Sequence, residues 1–356
     1  MKSLEIGIRK FLLNVLLAVL KKKTSGGKIP ENPKILLVRL NKIGDALVTT
    51  PLISLLSKVP GARLDVLADK KNHFVFTRTS IVNRVKVFEK GILGFIQTLK
   101  WINRQNYDVI IDAHDDVSTT VSFLIAAVKV PYKIALEKEN KSIFTHTVAK
   151  PDPTKTHIIK RIAEIAKIFG IEFSNNDLKV IYRPEEKSVE NAEKFISANI
   201  GNKKYLLGVN ISAGSDARFW GIDNYKNVLE NIGNTKQIGI ILLRAPSDSG
   251  KAIKISEGKY PVFEDKSFDE FAAMISKLNM IFTPDTSAVH LASAFDVPVF
   301  GLYVHYNTKD MIWSPYNTEF DYVLTEESTL ANISYIVVIK KLKSFIERTF
   351  NGTQNT

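Results

Sequence analysis

The chain has no cysteine among its 356 residues. That excludes disulfides, thiolate metal sites and cysteine nucleophiles, and it fits a reducing compartment. No apolar run approaches the roughly 20 residues of a spanning helix, so no integral membrane segment is expected. No two aspartates are separated by one residue, so an Asp-x-Asp metal motif is missing. HExxH, GxxxxGK[ST] and GxSxG are also absent. The six histidines are scattered, and none pairs at helical metal-ligand spacing. His114-Asp115-Asp116 is well placed after a strand but too generic to define a metal site.

Apolar residues make up 45%, charged residues 24% and aromatic residues 10%, a globular composition. A single core stops growing near roughly 250–300 residues, so two domains are expected. The net charge is 49 − 37 = +12. Residues 1–28 carry seven Lys or Arg against Glu5, which is 7 − 1 = +6, half of the excess. The rest of the chain is mildly basic, without the stripe a nucleic-acid protein shows, so no nucleic-acid partner is expected. The positive charge flanks FLLNVLLAVL at 11–20, where Ser3, Gly7, Lys10, Asn14, Ala18 and Lys21 form a narrow polar stripe on an otherwise apolar helix. A lysine triplet stands where a signal peptide would have its small-residue cleavage site. An amphipathic basic helix lying on an anionic membrane surface fits this pattern, with packing on the protein body or on a second subunit as the alternative.

From residue 33 onward, short β-rich runs alternate with helical patterns. Strands are expected at 34–40, 64–68, 84–89 and 108–113, and again at 205–211, 238–243, 280–285 and 297–303. Helices are expected at 46–58, 116–128, 157–169, 222–232 and 268–278. Nearly continuous β-branched runs suit parallel strands covered on both faces. The signature is α/β, doubly wound, and present twice. The stretch 174–204 reads as the inter-domain region, and 332–347 as a last amphipathic helix with Ile336, Ile339, Leu342 and Phe345-Ile346 on one side.

Ligands of open α/β sheets bind beyond the carboxyl ends of the strands. Four such positions carry useful chemistry. Gly44-Asp45 follows the first strand: Gly44 permits a tight turn, and Asp45 is either a helix N-cap or a general base. Ser212-Ala213-Gly214 through Arg218 follows the first strand of the second half; the small residues suit a phosphate-wrapping loop, and Arg218 offers a charged fork or is a surface residue. Asp248 follows the next strand and either accepts from a ribose or caps a helix. Asp285-Thr286-Ser287 ends a later strand and opens a helix whose N-terminus favours a diphosphate. His290 lies one turn in, as a donor to phosphate or a satisfied interior histidine.

The segment TPDTSAVHLASAFDVPVFGLY at 283–303, with WSPY at 313–316, resembles the signature of the ADP-heptose:lipopolysaccharide heptosyltransferases, glycosyltransferase family 9. The opening ILLVRLNKIGDALVTTPLISLL, the run YDVIIDAHDD, the residues before Arg218-Phe219-Trp220 and SFDEFAAMISKLNMIF fall in that family's order. The resemblance implies a GT-B fold, in which two Rossmann-like domains face each other across a cleft, preceded here by the N-terminal helix. The domains would be 29–182 for the acceptor and 183–331 for the nucleotide sugar, with helix 332–347 packing back on the first. It implies inverting, metal-independent transfer of heptose from ADP-heptose to a lipid-linked lipopolysaccharide core acceptor, without a cofactor, at the inner face of the cytoplasmic membrane. Asp45 would be the general base. Ser212, Gly214, Arg218, Asp248, Asp285, Thr286, Ser287 and His290 would hold the donor. The chain departs from the family at Ser287, where glycine is usual, at Ile211–Gly214 and at Val304–Thr308. Alternatives are a GT-B enzyme with another donor, a sugar-nucleotide epimerase, or a catalytically silent nucleotide-sugar-binding protein.

Overall fold

The computed structural model describes residues 27–233 and 237–352, together with Gly7. The expected helix over 1–28 falls outside the described residues except for Gly7, Gly27 and Lys28. The chain divides into two compact units, Met1–Ile181 and Tyr182–Thr356.

In the first unit the order is β1 (Lys34–Arg39), α1 (Ile43–Leu47), α2 (Thr50–Leu56), β2 (Arg63–Asp69), α3 (His73–Thr77), β3 (Arg84–Phe88), α4 (Ile92–Arg104), β4 (Val109–Asp112), α5 (Thr119–Ala127), β5 (Tyr132–Leu136), β6 (His146–Val148) and α6 (Ile158–Ala163). The six strands form one parallel sheet in the order β3-β2-β1-β4-β5-β6. β1 and β4 are buried almost throughout because helices cover both faces. The expected single helix over 46–58 is two helices. Pro51, at the start of α2, has no N–H to continue the ladder of α1, and the turn restarts at Thr49. The helix expected over 157–169 tightens into a 3-10 turn from Glu164 and stops at Gly170, whose φ of 72° is left-handed.

The second unit runs α7 (Glu186–Asn199), β7 (Tyr205–Asn210), α8 (Ile222–Ile232), β8 (Ile238–Arg244), α9 (Ser249–Ser256), β9 (Val262–Glu264), α10 (Phe268–Ile275), β10 (Met280–Pro284), α11 (Ser287–Ala294), β11 (Val299–Val304), β12 (Phe320–Thr325) and α12 (Tyr335–Gly352). Its sheet is also parallel, in the order β12-β11-β10-β7-β8-β9. Counted from its own first strand, this is the order of the first sheet. Both sheets therefore reverse direction beside their first strand, between β1 and β4 and between β7 and β10. That switch point is where the connecting loops splay apart and leave a crevice for a ligand.

α12 packs within its own unit. Its buried residues Val338, Leu342, Phe345, Ile346 and Phe350 join the second unit's own core with Val228, Leu302 and Trp220. Tyr205 and Phe350 stack at 4.4 Å, and the Tyr205 hydroxyl donates to the Phe350 carbonyl. The apolar side of α12 is committed there, and Ile336, expected on that side, is 65% exposed.

Trp220 ties the loop after β7 to this core. It is fully buried, meets Tyr225 and Phe282 edge-on, and donates from Nε1 to the Ile333 carbonyl at 2.9 Å. Trp220→Ala is expected to cost about 3–5 kcal/mol, the range for an aromatic truncation in a packed core. Denaturant unfolding measures it; a loss under about 1 kcal/mol would show that the core collapses around the gap.

Candidate active site

At the first switch point, β1 ends on Arg39, which is completely buried. Burial pulls its pKa below the ordinary value, and the carboxylates of Asp45, Asp112, Asp115 and Asp116 oppose that shift. The guanidinium satisfies its donors on three atoms. Nε donates to the Asp45 carbonyl at 3.1 Å, Nη2 to Asp45 Oδ1 at 3.1 Å, and Nη1 to the Ala113 carbonyl. It therefore joins the loop after β1 to the loop after β4. Asp45 is not the N-cap of α1. Lys42 holds that position, and Asp45, three residues on, accepts from the Lys42 amide and from Asn41. Its side chain is 15% exposed. Gly44 lies inside α1 and is not among the left-handed glycines.

The loop after β4 has its own network. The Leu40 amide donates to His114 Nε2 at 3.1 Å, so Nε2 carries no proton and Nδ1 donates to Asp112 Oδ1 at 2.6 Å. Burial lowers the His114 pKa, against the pull of Asp112, and keeps the ring neutral. Burial alone would raise Asp112, but Lys138 and His114 outweigh it and hold the carboxyl below its usual range. Lys138 donates to Asp112 and to the His114 carbonyl, each at 2.8 Å. Asp115 takes a bidentate fork from buried Arg161 at 3.1 and 2.9 Å, and Asp116 faces solvent. His114 thus answers to partners of its own, while Lys150 reaches both Asp115 at 3.1 Å and Asp116 at 3.7 Å. Among the described residues no group of three His, Cys, Asp or Glu is placed to hold a metal ion.

At the second switch point the centre is Asn210, the buried last residue of β7. Its amide nitrogen donates to Thr283 Oγ1 at 2.9 Å and reaches Thr286 Oγ1 at 3.4 Å, while its oxygen accepts from the Ser212 amide. Ser212 Oγ donates to Asp248 Oδ2 at 2.7 Å and accepts from the Ala245 amide at 2.8 Å. Asp248 occupies the N-cap position of α9 without a capping bond; Lys251 holds its other oxygen at 2.8 Å. Thr286 is the N-cap of α11 and accepts from the Ala288 amide. Arg218 Nη1 meets Asp285 Oδ2 at 3.0 Å and the Asp285 carbonyl at 3.2 Å.

Ser212, Arg218, Asp248, Asp285 and Thr286 thus converge on the ends of β7, β8 and β10, with Ser287 opening α11. His290 is 3% exposed, with its ring 6.2 Å from that of Trp313. Gly214 sits in an exposed stretch of loop with open space around it, so no close approach demands glycine there. Sequence reading missed Arg39, Asp112, Lys138, Asn210 and Lys251. Arg39 and Asn210 were legible in principle, because each is a polar residue closing an apolar β run at the first strand of its unit. Tyr303 was also missed; burial first, then Asp285, raises its hydroxyl pKa far above normal.

A model of glycosyltransferase family 9 (heptosyltransferase) matches residues 95–342. The chain belongs to this family and is a glycosyltransferase. The lipopolysaccharide core heptosyltransferase OpsX of Haemophilus influenzae is 21% identical over 300 residues, covering 81% of this chain and 83% of its own. A family 9 glycosyltransferase structure from Veillonella parvula superposes with a TM-score of 0.75 at 18% identity, over 91% of this chain and 99% of that one. The Escherichia coli heptosyltransferase WaaC, solved with ADP, does so at 0.67 and 18%, over 89% and 98%. The fold is accordingly of the GT-B type.

His114 generates a pH prediction. Its pKa is depressed on folding, so the unfolded chain takes up a proton first as pH falls. The stabilisation is full above the unfolded value of roughly 6.5 and is lost below it, at up to about 1.4 kcal/mol per pH unit. Urea unfolding between pH 7.5 and 5.5 is expected to show that decline, and His114→Asn to flatten it. Equal slopes in both proteins would contradict the neutral buried ring.

Proposed function

We propose that the enzyme transfers heptose from ADP-heptose to a lipid-linked lipopolysaccharide core saccharide, with inversion and without a metal. The family assignment supports heptosyl transfer, and the names of the relatives supply the acceptor class. The observation that carries the mechanism is the placement of a carboxylate, Asp45, at one switch point, and of Arg218 and the α11 N-terminus at the other.

The acceptor hydroxyl gives its proton to the Asp45 carboxylate as its oxygen forms the bond to the anomeric carbon. The bond from that carbon to the diphosphate oxygen breaks, and ADP leaves with the electron pair. Charge grows on the diphosphate in the transition state. Arg218 and the positive end of the α11 dipole stabilise it there. The Arg218–Asp285 pair keeps a second carboxylate neutralised beside that anion. Ser212 and Gly214 line the donor loop, and Asp248, oriented by Ser212 and Lys251, accepts from the ribose. Thr286, Ser287 and His290 hold the diphosphate and sugar.

Asp45→Asn is expected to lower kcat by about 10²–10⁴, the usual worth of a positioned base, and to leave ADP affinity unchanged. Arg218→Ala is expected to weaken ADP binding by roughly 10–100-fold, as for a lost hydrogen bond to a charged group. Calorimetry with ADP and a transfer assay read both variants. Normal turnover in the first, or normal affinity in the second, removes that residue from its role.

Residues 1–28 hold the enzyme at the anionic inner surface of the cytoplasmic membrane, where its acceptor resides. Among the described residues no helix is long and apolar enough to cross a membrane. Deleting 1–28 is expected to release the protein from phosphatidylglycerol vesicles in sedimentation; undiminished binding would refute the anchor.

A further inference from the structure

α4 buries one face and leaves three aliphatic side chains on another. Gly94, Thr98 and Ile102 are buried, and Phe95, Leu99 and Trp101 pack against the first unit's core. Ile92, Leu93 and Ile96 take no part in that core and are 81%, 76% and 40% exposed. Scattered exposed aliphatics are ordinary, but three within the first turn and a half of one helix make a patch. The patch follows Gly91, whose φ of 93° turns the chain directly out of β3 into α4.

Its surroundings are basic. β2 and β3 pair with Asp69 opposite Phe88, so their ends lie side by side. Lys70 and Lys71 follow β2, Lys90 follows β3 and reaches Asp69 at 3.2 Å, and Lys42 follows β1. All four lysines are exposed, against exposed Glu89. This rim of the sheet is also the one that carries Asp45.

We propose that the first turn of α4 inserts Ile92, Leu93 and Ile96 into an anionic bilayer surface, with Lys42, Lys70, Lys71 and Lys90 on the lipid headgroups. Protein interfaces are poor in lysine and centred on aromatic residues and arginine. An aliphatic wedge ringed by lysine instead suits the boundary between acyl chains and anionic headgroups. Docking there turns the Asp45 rim toward a lipid-linked acceptor. The inference rests on the lipid-linked reading for its purpose, but its test uses neither donor nor acceptor, so each can fail alone.

The lack of cysteine makes the test direct. Leu93→Cys in the full chain carries a single environment-sensitive fluorophore, and Lys129→Cys places the same label just before β5, at the opposite end of the strands. With phosphatidylglycerol–phosphatidylethanolamine vesicles, emission at position 93 is expected to rise about twofold or more and shift to the blue, as for a probe leaving water for the acyl boundary. Position 129 is expected to stay unchanged, and pure phosphatidylcholine to give no response at either. In parallel, Ile92→Ser with Leu93→Ser is expected to reduce partitioning onto the anionic vesicles by about tenfold. An unchanged label at 93 on protein that sediments with the vesicles would overturn the proposal. So would an equal response to phosphatidylcholine, or one that appears without vesicles and grows with protein concentration, which would mark a contact between copies of the chain.

Discussion

The buried guanidinium of Arg39 is the contact on which the first unit's site depends. A fully buried cation is tolerable only if its donors are met by oxygen atoms and its charge by a carboxylate. Arg39 meets both conditions by gripping Asp45 twice and the carbonyl of Ala113. That couples the geometry of α1 to the loop after β4, which is itself locked by Asp112, His114 and Lys138. Asp45, in the first turn of α1, is therefore tied to the end of β1. A base that must meet a hydroxyl within hydrogen-bond reach benefits from that restraint.

The second unit solves the same problem with a neutral group. Asn210 ends β7 where Arg39 ends β1, and its amide spans the gap to β10 through Thr283 and Thr286. In the proposed reaction the donor is anionic, and positive charge would reach it from Arg218 and the α11 N-terminus rather than from a cation sequestered beneath the loop. Trp220, two residues beyond Arg218, fixes that loop to the core through Phe282 and Ile333.

Of the twelve strands among the described residues eight were legible as apolar runs; seven of these are central strands, and a central parallel strand is buried on both faces and reads continuously, while the eighth, β3, is an edge strand rich in β-branched residues. The four others were not. β9 and β12 are edge strands, β9 of three residues and β12 with a half-exposed pattern, while β6 also has three residues and pairs only with β5. β5 carries Lys133, which satisfies its charge at the carbonyl of Ile125 and so hides a strand behind a polar residue. The positions of Asp45, Asp248 and Asp285 followed from the rule that strand ends carry ligands. The pairings of the latter two did not, since Arg218 lies 67 residues from Asp285 and Ser212 lies 36 from Asp248. Such pairings are set by sheet order, which local periodicity does not encode. An amphipathic helix such as α12 announces that it packs, but not against which sheet.

The most direct test of the account is the anomeric configuration of the product. ADP-heptose labelled with ¹³C at the anomeric carbon would be incubated with the enzyme and a lipopolysaccharide core acceptor, and the one-bond carbon–proton coupling of the product read by NMR. Direct displacement by a hydroxyl activated at Asp45 predicts a single product whose configuration is opposite to that of the donor. A product of retained configuration, or ADP release without a new glycosidic bond, would contradict it.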